Sequence, residues 1–381
     1  MNLCFLNMPI EYYSPVSGGA IATVIMQTAR TLLERGHHVH VLTITNGDEI
    51  YPVGQVTPIE ARRREDLPRL LRYLSAIRRR LHRWDWPRYE SYLGSFTRAL
   101  HTLSPVPDAV VIFNDLVSPK YVKRVLPRAK VVVWLQNENR TIHDIQETAR
   151  QTDAFITCSG YIRRWTAETY GLPLERFTVV HNAADGAVFT PRPDFLDPVA
   201  ELRVLFLGRI DPNKGPDIAA DAVAALRREG VRICLTVGGG LWFYGHGNEM
   251  ADPYFRKLKE KMDIAEADYV GHVNRHDAPA LYRQHDVVCV LSRSHDPYPL
   301  VTMEAMASGC AVVAANRGGL VEACDDAGQL VDPDDLPAVI AALRRLAADP
   351  AFLRREKEKS LRRAAREPWS HGAQRLEELL S

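Results

Sequence analysis

The sequence carries no surplus of charge. Across 381 residues, 48 Lys and Arg face 47 Asp and Glu, a formal net charge of +1. No global positive field points to nucleic acid as a partner. Long apolar runs are missing as well. None approaches the roughly 18 residues of a membrane-spanning helix, and Met1-Asn-Leu-Cys-Phe-Leu6 lacks the basic start of a secretion signal. Cysteine is sparse and scattered. Cys4, Cys158, Cys234, Cys289, Cys310 and Cys324 form no C-x-x-C, which argues against a zinc ribbon or a thioredoxin-type centre. Most sit in apolar runs such as 286–291, where a thiol acts as a small hydrophobe, and a reducing cytosol suits them. Neither an H-x-E nor a D-x-D spacing is read as a metal site, so neither a metal nor a resident cofactor is expected. No G-x-G-x-x-G follows the first expected strand, which weighs against a dinucleotide dehydrogenase. Lysine is scarce, 9 against 39 arginines. Codon bias and anion binding by guanidinium forks both account for that ratio.

What is present is alternation. Short β-rich runs take turns with longer helical patterns, the signature of an α/β protein with parallel sheets. Leu3 to Asn7 reads as a strand, followed by a loop with Gly18-Gly19, a helix from Ala20 to Glu34 closed by Gly36, and a strand from His38 to Thr45. This unit opens a doubly wound domain. Strands follow at 109–113, 130–135, 154–158 and 177–181. Thr190 to Pro198 holds three prolines in nine residues and reads as a linker. Beyond it the pattern restarts, with strands at 203–207, 232–237, 268–270, 287–291 and 311–314. The expected domains are residues 1–190 and 191–365, with a terminal helix over 366–381. Residues 60–98 stand apart, with eleven arginines against five acids. Over 67–83 leucines recur at helical spacing with arginines opposite. Either the leucines pack on the protein, or the segment lies on an anionic membrane surface.

Two stretches carry the chemistry. In Phe206-Leu-Gly-Arg-Ile-Asp-Pro-Asn-Lys-Gly-Pro-Asp217 a strand runs into a glycine loop that offers Arg209 and Lys214 just before a helix with Pro216 at its first position. Two cations beside a helix N-terminus suit a polyanion such as a diphosphate. In 294–309, Asp296 and Glu304 are eight residues apart, and Leu300 to Ala307 reads as a helix. Glu304 would lie one turn inside it, near unpaired N–H groups, where a carboxylate can accept from a diol. His295 and His246 stand on loops at expected strand ends, the two histidines with some functional case.

The order GR-x4-KG, V-G-G-G, V-G-H-V, D-x7-E-A-M-A-x-G and GG-x2-E resembles the retaining glycosyltransferases of the GT-B fold, family 4. The Gly18-Gly19 loop, Arg35-Gly-His-His-Val39, Ser159, Asn182-Ala-Ala-Asp185 before Phe189, and Pro368-Trp369 fit the same family. The resemblance implies two Rossmann-like domains facing a cleft, the last helix crossing back to the acceptor-binding N-terminal domain. Gly208, Arg209 and Lys214 would hold the diphosphate of a UDP- or GDP-sugar, with Arg209 and Lys214 catalytic. Glu304 would hold the ribose, Leu300 and Val301 a phosphate, and Gly271, His272 and Val273 the base. Asp296, with Tyr298 and Pro299 beside it, would face the sugar and join in catalysis, and Gly18 and Gly19 would close on the diphosphate. The implied reaction is metal-independent transfer of a hexose-type sugar, with retention, to a small-molecule, lipid-linked or saccharide acceptor in the cytoplasm. An epimerase or hydrolase of the same fold, or an inactive nucleotide-sugar-binding module, are the alternatives. The chain departs from the family at Asp296, commonly Glu, and at Pro299, often Gly, which leaves the sugar open. Gln136-Asn137 stand where a histidine is frequent, on the acceptor side.

Overall fold

A computed structural model describes residues 1–62, 67–82, 86–140, 144–241 and 249–381, with backbone only over 78–82 and 86–87. His143, His246, Arg63, Arg64 and Arg83 lie outside the described residues. The chain divides into two compact α/β units, Met1–His181 with Ser370–Ser381, and Asn182–Trp369.

The first unit is a parallel sheet in the order β3-β2-β1-β4-β5-β6-β7. Its strands are β1 (Asn2–Leu6), β2 (His38–Thr43), β3 (Gln55–Pro58), β4 (Ala109–Phe113), β5 (Lys130–Leu135), β6 (Ala154–Thr157) and β7 (Phe177–Val179). The runs Leu3–Leu6, Val110–Phe113 and Val131–Leu135 are wholly buried. A parallel strand covered on both faces needs such an unbroken apolar run. Helix α1 (Ala20–Glu34) starts at Gly19 and buries Ile21, Val24, Ile25 and Leu32. It ends where Gly36, at φ +83°, donates its N–H to the Leu33 carbonyl. In the loop before α1, Glu11 turns its carboxylate onto the helix's N-terminus and accepts from the Ala22 N–H at 2.7 Å.

Helix α2 (Arg69–His82) does not pack Leu70, Leu71, Leu74 or Ile77 on the protein. Among its described side chains Ser75 is the buried one, whereas Leu70 is 71% exposed, Tyr73 67%, and Leu71, Leu74 and Ile77 are exposed too. Helix α3 (Trp86–Thr102) follows. Its Tyr92 and Phe96 are buried, and the Tyr92 hydroxyl donates to the Asn7 carbonyl at 2.7 Å.

The second unit is a parallel sheet in the order β10-β9-β8-β11-β12-β13. Its strands are β8 (Leu202–Leu207), β9 (Ile233–Gly238), β10 (Asp268–Gly271), β11 (Val287–Val290), β12 (Ala311–Ala315) and β13 (Gln329–Val331). The order reverses between β8 and β11, so the topological switch point lies between their carboxyl ends. The unit divides from the first at residues 181/182, not at the expected 190/191. Residues 182–198 are pinned to the second unit. Asn182 donates to the Tyr298 carbonyl at 2.9 Å, and the Phe189 ring meets Tyr282 at 5.8 Å. Phe195 and Pro191 pack so closely on Gly309 that a Cβ there would sit 2.7 and 2.9 Å from them.

A buried ionic cluster locks this unit at the amino end of β11. Asp286 is fully buried and pairs with Arg192 at 3.0 Å, Arg203 at 2.9 Å and Lys357 at 2.7 Å. Burial works to raise its pKa, but Arg203, Lys357 and Arg192 outweigh it and hold the carboxyl well below the usual range. Removing one partner from such a buried pair costs about 3–5 kcal/mol, because a charge is left uncompensated. The Lys357 ammonium also donates to the Phe195 carbonyl at 2.8 Å, tying the proline-rich run down. The expected terminal helix spans Trp369–Leu380. Its Glu377 pairs with Arg35 and His37, each at 2.6 Å, and Lys130 donates to the Leu380 carbonyl at 2.7 Å.

Glu11 gives the first unit a pH dependence. Burial pushes its carboxyl up from 4.5 to about 7, against the N–H groups of Ala22, Gly19 and Ile21, which pull it down. A raised pKa means the stabilisation is complete below the ordinary value and is lost as pH rises through the folded one. Melting curves of Glu11→Gln and the parent chain should therefore diverge between pH 5 and pH 8, with the variant gaining relative stability at the higher pH. A difference constant with pH would contradict this.

Candidate functional site

The carboxyl ends of β8, β9 and β10 are packed through glycine. Gly208 donates to the Gly238 carbonyl at 3.0 Å, Ile210 to Gly240 at 2.9 Å, and Gly239 to Gly271 at 2.7 Å. Gly239 has φ +138°, and a Cβ there would lie 1.7 Å from the Gly208 carbonyl oxygen. The chain then bends through Arg209, a partly exposed guanidinium paired with Asp211 at 3.0 Å. Asp211 also caps the 3-10 turn Pro212–Lys214, accepting from the Asn213 N–H at 2.8 Å. Gly215, at φ +71°, starts helix α7 (Pro216–Arg228) and lets the turn press on Leu291, whose carbonyl oxygen a Cβ would approach to 2.2 Å.

This close approach brings the loops after β8 and β11 together. The Lys214 ammonium donates to Asp296 at 2.5 Å. Asp296 is 6% exposed, and its other oxygen accepts from the Ser292 hydroxyl. Its backbone carbonyl accepts from the Gly319 N–H at 2.7 Å, and a Cβ on Gly319 would collide with the Pro297 carbonyl at 1.6 Å. A second clamp joins the same loops. Arg293 makes a two-pronged pair with Asp217 at 2.9 and 2.7 Å and donates to the Pro212 carbonyl at 2.6 Å. Asp296 is followed by Pro299, which opens helix α10 (Leu300–Ala307). Among the described residues no side chain caps that end, so the first-turn N–H groups of Leu300 and Val301 keep their positive field.

Glu304 lies one turn into α10, buried, with Arg275 on one oxygen at 2.5 Å and the Tyr282 hydroxyl on the other at 3.1 Å. Arg275 in turn lies over the Phe189 ring at 5.4 Å. Each carboxylate oxygen has lone pairs left for a further donor.

The structure thus brings together Lys214, Asp296, Pro299, Leu300 and Val301 at the switch point, with Glu304 below them. Arg209 follows β8 on the same edge and pairs with Asp211. Gly271 ends β10 at φ +68°, and Val273 packs toward Gly238. Tyr298 does not present its side chain. It is buried, and its hydroxyl accepts from Arg363 at 2.7 Å, which makes it a prop for the loop. Gly18, Gly19, Gln136 and Asn137 belong to the first unit. Gly18 packs on the Tyr12 carbonyl, and the N–H groups of Gln136 and Asn137 donate to the Asn114 side chain at 2.6 and 3.2 Å. Sequence reasoning missed Ser292, Arg275, Tyr282 and the Arg293–Asp217 clamp. Their signal was weak: a serine and an arginine just ahead of Asp296, and an arginine two residues past the V-G-H-V run. Asp332-Pro-Asp334, a D-x-D spacing passed over in the sequence, has both carboxylates on Arg317 at 2.6 and 2.7 Å.

The family model for Glycosyl transferases group 1 matches residues 192–368, and that for Glycosyltransferase Family 4 matches residues 18–187. Glycogen synthase of Mycobacterium tuberculosis is 31% identical over 57% of this chain, which spans 51% of that protein's length. D-inositol 3-phosphate glycosyltransferase of Stackebrandtia nassauensis is 28% identical over 97% of this chain and 88% of its own. Among solved structures, sucrose-phosphate synthase from Thermosynechococcus elongatus superposes with a TM-score of 0.74 at 20% identity, covering 100% of this chain and 98% of that one. Anabaena HepE, solved in complex with UDP-glucose, gives 0.72 at 17% identity, with 100% and 99% covered. Such likenesses carry the fold, two Rossmann-like domains of GT-B type. With its two halves matched in order by the two family models, the chain belongs to the group 1, Family 4 glycosyltransferases.

Proposed function

We propose that this chain transfers a hexose-type sugar from a UDP- or GDP-sugar to an acceptor hydroxyl, with retention and without a metal. The observation that carries the reading is the meeting of Lys214, Asp296 and the open N-terminus of α10 at the switch point of the second sheet. Open α/β sheets bind their ligands there. When the bond between sugar and diphosphate breaks, negative charge collects on the leaving group. Arg209 and Lys214 neutralise it, and the Leu300 and Val301 N–H groups take phosphate oxygens. These fixed donors supply what a divalent ion supplies in other transferases. Asp296 aims Lys214 and faces the sugar, while Glu304, steadied by Arg275 and Tyr282, accepts from the ribose. The UDP-glucose complex of HepE supports a nucleotide-sugar donor. An inactive binding module of the same fold would bind that donor and leave it intact.

Kinetics test this reading. Lys214→Ala and Arg209→Ala should each lower kcat by about 10²-fold, the order seen when one charge-stabilising donor is removed, while turnover persists in EDTA. Near-parental kcat in both variants, or complete loss in EDTA restored by Mn²⁺, would contradict it.

The cytosolic face of a membrane is the proposed place of work. Among the described residues no helix is long and apolar enough to cross a bilayer. Helix α2 instead suits its surface. Leu70, Leu71, Tyr73, Leu74 and Ile77 are exposed, and the helix sequence holds five arginines and no acid. Such a helix sinks its apolar face into the interface and pairs its cations with anionic headgroups. Co-sedimentation with phosphatidylglycerol vesicles at low salt, weakened by high salt and by Leu70→Ser/Leu74→Ser, is expected. Equal absence of binding to anionic and neutral vesicles would refute it.

A further inference from the structure

Pro297-Tyr298-Pro299 joins Asp296 to the head of α10. Each proline fixes its own φ near about −65° and confines the residue before it to extended backbone. The segment therefore shifts as one body, and whatever fixes Tyr298 fixes both of its ends. Tyr298 is held twice. Its carbonyl accepts from the Asn182 side chain at 2.9 Å, and its hydroxyl accepts from Arg363 at 2.7 Å. Tyr298 is 2% exposed and Arg363 3%, so neither side chain is open to a ligand.

Arg363 stands in the last turn of α13 (Pro350–Ala365). The same guanidinium nitrogen also donates to the Glu322 carbonyl at 3.0 Å, in helix α11 (Leu320–Cys324). That helix begins just past Gly319, whose N–H donates to the Asp296 carbonyl and whose Cα lies against the Pro297 carbonyl. A closed ring results, running from Arg363 through Tyr298, Pro297, Gly319 and Glu322 back to Arg363. One buried cation thus locks the loops after β11 and β12 to each other.

Stability alone does not call for such a lock. The ion pair of Arg363 with Glu367 is long, 3.7 Å, and that carboxylate is a quarter exposed. A buried charge so loosely answered is unfavourable, and apolar residues of similar volume often hold a buried site as well or better. What the polar pair adds is direction. A hydrogen bond is met at one distance and angle, whereas an apolar contact tolerates sliding. Direction matters because Asp296, two residues before Tyr298, takes the Lys214 ammonium at 2.5 Å. A misplacement of about 1 Å at a reacting centre can cost 10²-fold in rate.

We propose that Tyr298 is a positioning residue for sugar transfer: its bond to Arg363 sets the Pro297–Pro299 segment and thereby the aim of Asp296 at Lys214. The assignment rests on the glycosyl-transfer reading, while the lock itself rests on the contacts above. Release of UDP from UDP-glucose and of GDP from GDP-mannose by the full chain measures turnover. Tyr298→Phe keeps the ring and removes the hydroxyl. It should lower kcat about tenfold, the worth of one charge-assisted hydrogen bond, with a smaller change in Kd for UDP or GDP. Arg363→Met should do the same, and Arg363→Lys, which keeps a cationic donor, should fall between. The double variant should be no slower than either single, since both remove one interaction. Its melting temperature should at least match that of Tyr298→Phe, which leaves a buried cation facing a ring carbon. Amide exchange tests the lock with no donor present: Tyr298→Phe should speed exchange over 294–303 and 318–324 and leave strand β8 unchanged. Parental kcat in Tyr298→Phe, fully additive losses in the double variant, or unchanged exchange over both loops overturns the proposal. Faster exchange in the variant of a parent chain that turns over neither donor would keep the lock and remove the transfer reading.

Discussion

The contact between Lys214 and Asp296 sets the geometry of the second unit's working edge. One residue follows β8 and the other follows β11, the two strands between which the sheet order reverses. Their loops can touch because Gly215 has no side chain to strike Leu291 and Gly319 has none to strike Pro297. Arg293 on Asp217 holds the same two loops a few residues away. The lysine is therefore presented in one place. A fixed cation stabilises a developing anion without the cost of reorganising at the moment of reaction.

Strand β11 has an aspartate beyond each end, and the two differ in burial and in partners. Asp286, just before the strand, is fully buried and surrounded by Arg192, Arg203 and Lys357. Its charge is over-answered, and its role is to join β8, α13 (Pro350–Ala365) and the proline-rich segment. Asp296, beyond the strand's carboxyl end, has one lysine and one serine hydroxyl. That smaller partner set lies just ahead of an uncapped helix end, an arrangement suited to exchanging partners with a charged ligand.

Much of this was legible in the sequence because burial writes itself into continuous apolar runs. Helices α1 and α10 and strands β4 and β5 have the bounds their residues suggest. The short edge strands β3 and β13 escaped notice. Gln55–Pro58 and Gln329–Val331 are three or four residues long and only partly buried, so their pairing partners, not their own composition, define them. The proline-rich run misled for a related reason. Proline reports local backbone, while the attachment of this run depends on Phe195, Pro191 and a lysine more than 150 residues away. At the site, Arg209, Lys214, Asp296 and Glu304 stood out by motif, whereas Arg275 on Glu304 and Arg293 on Asp217 are separated by 29 and 76 residues and emerge only on folding. The leucines of α2 went the other way: their helical spacing was plain, and their exposure was visible only in three dimensions.

The central claim is that the second unit binds a nucleotide-diphosphate sugar at this edge, and ligand-dependent stability tests it most directly. A donor present at 100 times its Kd should stabilise the chain by about 2.7 kcal/mol. A thermal-shift screen over UDP- and GDP-sugars should therefore show one base and sugar raising the melting temperature, with the matching nucleoside diphosphate raising it as well. A screen in which no nucleotide sugar and no nucleoside diphosphate shifts the transition would contradict the account.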